Sequence, residues 1–261
     1  MRGRFALSAL AAAALVTALA PAAYAGPQVI PVENRVDLPQ ALLTNGITSD
    51  RPVLVCIGGA SGMSEEHVAA LNAAFRDLVA PALDRWSAAV VDGGTDAGVM
   101  RMVGRARTEA GSTFPLIGVA AVGTVELPDT PRRRDDAAPL EPNHTAVVLV
   151  PGDSWGDETP WLSAVAGVIA GDRPSVTLMV NGGSITLNDA QASLAAGRPL
   201  IVVAGSGRSA DEIARARAGE TAGEQATNIA ASPLTSIVDA ADPRSVLDGI
   251  DGALAAGRPD G

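Results

Sequence analysis

The sequence predicts an α/β fold: a Rossmann-like, doubly wound, mainly parallel sheet in a single three-layer domain. Three observations carry this. Strand-length runs rich in apolar residues recur at residues 53–57, 88–91, 145–150, 175–180 and 200–203, and the unbroken ones have the character of strands covered on both faces. Helical stripes separate most of these runs, and strand–helix alternation makes parallel crossovers. Glycine-rich turns follow four of the runs, at the strand ends where open parallel sheets bind ligands.

Composition narrows the function. The chain has 261 residues, 47% of them hydrophobic but only 3% aromatic, so Val, Leu, Ile and Ala must build the core. The net charge of −10 argues against general nucleic-acid binding, which wants clustered positive charge. Every basic residue is arginine, which excludes a Walker lysine, a Schiff-base lysine and a lysine general base. With one cysteine, Cys56, no intrachain disulfide forms, and the two histidines, His67 and His144, do not make zinc-site spacing. Cys56 sits inside an apolar run and reads as a buried structural thiol.

The N-terminus reads as a leader. Met1-Arg2-Gly3-Arg4 is basic, residues 5–20 are small and apolar, and Ala23-Tyr24-Ala25 has the small-x-small form of a signal-peptidase site. The expectation is a signal peptide over residues 1–25, cleavage before Gly26, and export of a domain over residues 26–261, with no stable membrane span after cleavage. Should translation start downstream, the location becomes cytoplasmic. The arginine- and alanine-rich, lysine-free composition looks bacterial.

In chain order, residues 29–32 form a short strand and a helix opens near Asp37. Strand 53–57 runs into Gly58-Gly59-Ala60-Ser61-Gly62, and Ser64 caps a helix whose stripe is Val68, Leu71, Phe75 and Leu78. Strand 88–91 runs through Asp92-Gly93-Gly94-Thr95-Asp96 into a helix over residues 97–110. Residues 115–122 form a strand, and residues 124–142 a polar insertion. Strand 145–150 follows, then Pro151-Gly152-Asp153-Ser154-Trp155-Gly156-Asp157-Glu158 and a helix carrying Trp161, Leu162, Val165, Val168 and Ile169. Strand 175–180 ends in Asn181-Gly182-Gly183-Ser184, with Ser184 as the cap of a helix to Ala196. Strand 200–203 ends in Ala204-Gly205-Ser206-Gly207-Arg208, and Ser209-Ala210-Asp211-Glu212 has the spacing of a capping box. A last strand over 234–238 and a helix over 243–255 close the chain.

This order collects Gly58-Gly59, Gly93-Gly94-Thr95, Gly182-Gly183-Ser184 and Gly205-Ser206-Gly207-Arg208 on one rim. Glycine lets a ligand approach the backbone, helix starts present N–H groups and partial positive charge, and a guanidinium holds phosphate bidentately. The pattern points to a nucleotide-like or phosphorylated small molecule. No turn carries the full dinucleotide fingerprint with its downstream acid, which argues against an ordinary NAD dehydrogenase. His144 either secures the start of its strand or joins the site, and Trp155 either stacks on a base or closes the rim. Asp153, Asp157 and Glu158 are either caps or holders of a cation beside a diphosphate.

The same residues carry a resemblance. Asp92-Gly93-Gly94-Thr95-Asp96-Ala97-Gly98-Val99-Met100, then Asn143-His144 with Pro151 to Glu158, then Val180-Asn181-Gly182-Gly183 followed by Gly205 to Asp211 resemble the SLOG superfamily. More narrowly they resemble prokaryotic relatives of the SLOG domain of TRPM channels. The resemblance implies a Rossmann-like domain that binds or senses a nucleotide-derived ligand of the ADP-ribose or NAD class, and self-association is compatible with it. The superfamily also holds the Lonely Guy phosphoribohydrolases, with the motif Gly-Gly-x-Gly-Thr-x-x-Glu. Here Gly182-Gly183-Ser184-Ile185-Thr186-Leu187-Asn188-Asp189 stands in that place: Ile185 replaces the third glycine and Asp189 the catalytic glutamate. A carboxyl withdrawn by a methylene is poorly placed for catalysis, so binding is the leading expectation and N-glycosidic hydrolysis, with Asp189 as its candidate residue, the alternative. The ligand contacts expected are Gly58, Gly59, Ser61, Gly93, Gly94, Thr95, Asp96, Gly98, His144, Trp155, Gly182, Gly183, Ser184, Thr186, Gly205, Ser206, Gly207 and Arg208, with no metal.

Overall fold

The computed structural model describes residues 26–59, 63, 65–127, 130 and 134–256. The expected leader, Ser61, Ser64 and the arginines at 132 and 133 lie outside these residues.

The chain opens with β1 (Gln28–Pro31) and α1 (Leu38–Thr44). Then come β2 (Val53–Gly58), α2 (Glu65–Ala74), a π turn (Phe75–Val79), α3 (Ala80–Trp86), β3 (Ala89–Asp92) and α4 (Gly98–Glu109). β4 (Leu116–Ala121) leads into the insertion, which holds the short β5 (Val125–Glu126) and β6 (Ala138–Pro139). The second half is β7 (Ala146–Val150), α5 (Thr159–Ala170), β8 (Ser175–Val180), α6 (Ser184–Ala195), β9 (Leu200–Ala204), α7 (Arg208–Arg217), α8 (Glu224–Ala231), β10 (Thr235–Asp239) and α9 (Pro243–Ala256).

Eight strands form one sheet in the order β1-β7-β4-β3-β2-β8-β9-β10, and all its neighbours pair in parallel. From β2 the chain winds outward through β3, β4 and β7, then returns to place β8 on the other side of β2. The order therefore reverses between β2 and β8, and there a crevice opens at the strand C-termini. Apolar residues of α1, α5, α7 and α8 pack on one face of the sheet, and those of α2, α3, α4 and α9 on the other. Both faces are covered, so β2, β3, β4 and β7 are buried almost throughout. Each fully buried Val, Leu or Ile contributes on the order of 2 kcal/mol.

Three local expectations change. The helix α8 falls in a stretch for which the sequence suggested no element; Ala226, Ile229 and Ala230 form its buried stripe. Ser184 is the first residue of α6 and not its cap: Gly183 holds the cap position, and its N–H donates to the Thr186 hydroxyl at 3.3 Å. The capping box at Ser209 does not form. The left-handed Gly207, at φ 101°, takes the cap position and α7 starts two residues early, at Arg208, and Asp211 reaches back to accept the Gly205 N–H at 2.7 Å.

Candidate ligand site

A cavity of about 310 Å³ occupies the crevice. β2 supplies its floor through Cys56, Ile57, Gly58 and Gly59, and the turn after β3 adds Gly93 and Thr95. Gly182, Gly183, Ser184 and Thr186 form one wall at the start of α6, with Asp189 one turn further and Arg208 beside them. Trp155, Glu158 and Leu162 close the opposite side.

Gly58 has a positive φ of 134°, and a Cβ there would strike the Val180 backbone; only a bare backbone lets β2 and β8 run so close. Arg208 also has a positive φ, 49°, a strained setting for a side chain of its size. Its guanidinium lies against the bare Gly183 backbone, 2.8 Å from where a Cβ would stand. It is exposed and has no ion pair or hydrogen bond among the described residues.

The acidic end is built differently. Asp189 accepts a 2.5 Å hydrogen bond from the Thr159 hydroxyl. Burial raises its pKa to about 7, against that hydrogen bond and helped by the neighbouring Glu158 charge. Burial also raises the Glu158 pKa, and its Oε2 accepts the Gly156 N–H at 2.9 Å. The cavity thus has a guanidinium unpaired among the described residues and two carboxyls, Asp189 and Glu158, that resist ionisation.

The turn after β3 is braced from beneath. Asp92 Oδ1 accepts the Gly94 N–H at 2.8 Å and meets His144 Nε2 at 2.8 Å. His144 Nδ1 meets Glu141 Oε2 at 2.8 Å, and Glu141 also takes the Asn143 amide groups at 2.9 and 2.6 Å. Burial alone would depress the His144 pKa. The charge and hydrogen bond of Asp92, then those of Glu141, outweigh it and lift the pKa to about 9. An imidazolium here donates from both nitrogens to carboxylates. The Glu141 N–H donates to the Gly94 carbonyl at 3.0 Å, and the Asp96 N–H to the Pro139 carbonyl at 2.8 Å, so the end of the insertion is stitched along the turn.

A second cavity, of about 210 Å³, lies on the other face between α2 and α4. Gly59 lines both cavities.

Of the expected contacts, Gly58, Gly59, Gly93, Thr95, Trp155, Gly182, Gly183, Ser184, Thr186 and Arg208 line the first cavity, as does Asp189. Gly98 lines the second. Six others sit apart from both linings. Gly94 turns toward the sheet, not the cavity: a Cβ there would stand 2.9 Å from the Gly118 Cα. His144 is 5% exposed and braces the turn from below. Asp96 pairs with Arg101 at 2.6 Å. Ser206 is buried, donating its hydroxyl to the Val203 carbonyl at 2.6 Å and accepting the Asn181 N–H at 2.7 Å. Gly205 binds Asp211 and Gly207 packs on the Asn181 side chain.

Trp155 closes the rim and donates its indole N–H to Asp136 at 3.1 Å. Asp157 is a turn brace, its Oδ2 accepting the Asp153 and Ser154 N–H groups at 3.0 Å. Among the described residues no group of acids and histidines has the placement to hold a metal ion. Cys56 is buried, and desolvation, with the Asp92 charge second, pushes its thiol well up; it is floor, not nucleophile.

The chain belongs to the prokaryotic family described as SLOG in TRPM, whose model matches residues 51–248. Its fold is similar to that of the molybdenum cofactor carrier protein from Chlamydomonas reinhardtii, with a TM-score of 0.52 and 16% identity over 78% of this chain and 99% of that one. No curated protein matches the sequence. Among the described residues no helix is long and apolar enough to cross a membrane. The chain is thus a SLOG-family Rossmann-like domain with a cavity at its strand switch, the place where open α/β sheets bind ligands.

Proposed function

We propose that this domain binds a nucleotide-derived small molecule whose phosphate sits against Arg208 and the glycine turns at Gly58-Gly59 and Gly182-Gly183. The carrying observation is Arg208: a guanidinium without a partner among the described residues, on left-handed backbone, facing bare backbone in the cavity wall. A guanidinium left open at a helix start beside a cavity favours an anion. Trp155 offers an aromatic face to a base, and Thr186, Glu158 and Asp189 offer hydrogen-bonding groups to a sugar or base. The cavity's size is at the low end for small-molecule sites, which suits a mononucleotide unit.

A thermal-shift series with AMP, ADP-ribose, NAD and cyclic nucleotides tests this. A ligand at about a hundred times its Kd adds about 3 kcal/mol to stability, a shift of several degrees for a domain of this size. No shift with any of them at millimolar concentration overturns the reading.

A second reading is N-glycosidic cleavage of a nucleoside monophosphate. The Asp189 pKa of about 7 favours it, since a carboxyl near neutrality can give or take a proton. Ile185 stands in the cavity wall where the hydrolases' motif has glycine, which disfavours it. Free base released from AMP by the protein, and lost on Asp189→Asn, supports cleavage; AMP bound and recovered intact rejects it.

A further inference from the structure

We infer that Ile185 is a specificity-determining residue of the first cavity. It bridges α6 to the turn before α5 and walls Glu158 and Asp189 off from water, so that their end takes an uncharged hydrogen-bonding group while Arg208 takes the anion. The choice of ligand rests on the nucleotide reading above; the wall itself does not. Three observations carry it.

The first is the bridge. Ile185 is the second residue of α6 and lines the cavity. Gly156 is left-handed at φ 100°, and the atoms nearest a Cβ built on it are Cγ1 and Cγ2 of Ile185, both at 3.7 Å. The Ile185 side chain therefore reaches from α6 to the turn that carries Trp155 and Glu158.

The second is a polar link beside it. Asp189 follows Ile185 by four residues and shares its side of the helix. Its Oδ1 reaches the start of α5 at Thr159, while the Gly156 N–H holds Glu158 Oε2. Both carboxyls thus lie along the gap that Ile185 crosses, and Glu158 is the charged group that acts on Asp189 there. Burial is the largest cause holding each toward its neutral form, and an apolar side chain in the place of water supplies burial.

The third is what stays open. Asp189 lines the cavity, and its Oδ2 has no partner among the described residues. A neutral carboxyl there can donate or accept a hydrogen bond without setting a negative charge in the cavity that holds Arg208.

Carbon-13 titration of the Asp189 carboxyl in the ligand-free protein tests the wall, the signal being the one that Asp189→Asn lacks. Ile185→Ala removes both contact carbons and suits a helix; Ile185→Val keeps both. Circular dichroism melts confirm that each variant is folded. The midpoint near 7 is expected to fall by about one pH unit in Ile185→Ala and to hold in Ile185→Val. Calorimetry at pH 7 reads the consequence for binding. AMP is expected to bind Ile185→Ala at least about threefold weaker than wild type, because more of the protein then carries the Asp189 charge. That loss should vanish when Asp189→Asn is added to both. A midpoint that stays put in Ile185→Ala, or moves as far in Ile185→Val, overturns the inference. So does an AMP loss of equal size with and without Asp189→Asn, which would make Ile185 a packing residue alone. No AMP binding by the wild type, with the midpoint shifted as expected, overturns the nucleotide reading and leaves the wall standing.

Discussion

Gly94 and Gly118 meet backbone to backbone: a Cβ on Gly94 would lie 2.9 Å from the Gly118 Cα, and one on Gly118 would lie 2.5 Å from the Gly94 Cα. The turn after β3 is thereby pressed onto β4, and its cavity-facing surface falls to Gly93 and Thr95.

Gly94→Val is therefore expected to lower stability and ligand binding together. The residue is left-handed at φ 68°, and the added side chain would also press Val147, 3.4 Å from the Cβ position. Strain and overpacking together cost roughly 3 kcal/mol or more. Gly93→Ala is the contrast: the nearest atoms to its Cβ would be those of the Met100 side chain, at 3.7 Å, an ordinary contact, so the melting temperature should hold while the cavity narrows. Denaturant melts of the pair check this, and equal stability of Gly94→Val and wild type would refute it.

His144 makes the fold pH-sensitive. Its folded pKa of about 9 is raised above the ordinary 6.5, so its stabilising contribution is full below about pH 6.5 and lost as pH rises through about 9. Unfolding free energy should fall across that window. His144→Gln leaves two buried carboxylates without their cation, a loss of about 3–5 kcal/mol, and removes the pH dependence. Urea melts at pH 6, 7.5 and 9 measure both, and an unchanged slope in the variant would contradict the bracing role.

Asp189 should set a pH dependence of binding near neutrality. As pH rises through about 7 its carboxyl ionises and adds negative charge to a cavity that takes an anion. Affinity for AMP should then decline through that pH beyond what phosphate ionisation explains. Asp189→Asn should remove the extra decline. Identical profiles for wild type and variant would place Asp189 outside the electrostatics of the bound state.

Much of this fold could be read in advance, because burial on both faces of a parallel sheet forces unbroken apolar runs such as residues 53–57, and these announce their strands. The helix α8 was hidden because its stripe is only Ala226, Ile229 and Ala230, too small to stand out in an alanine-rich chain. The rim glycines were visible, but which way each faces was not: Gly93 and Gly94 are neighbours, yet one lines the cavity and the other packs on β4. That depends on Gly118, which lies on another strand. The brace beneath the turn was equally out of reach. His144 and Asp92 are 52 residues apart, and Glu141 gives no signal, because a lone glutamate in a polar insertion reads as solvated. Asn181 and Ser206 likewise tie the ends of β8 and β9 together through bonds of 2.7 Å that only the strand order brings within reach.

Calorimetric titration of AMP and adenosine into wild type and Arg208→Gly reads whether Arg208 holds the phosphate of a nucleotide-derived ligand. Glycine accepts the left-handed backbone at this position, so the variant should melt no lower than about 1 kcal/mol below wild type, the usual cost of glycine in a helix. A charged hydrogen-bonding contact is worth about 1.5–3 kcal/mol. AMP should therefore bind the wild type at least about tenfold tighter than adenosine, and Arg208→Gly should bring AMP down to the adenosine level. A folded Arg208→Gly protein that binds AMP as tightly as wild type does would show that Arg208 does not hold the phosphate.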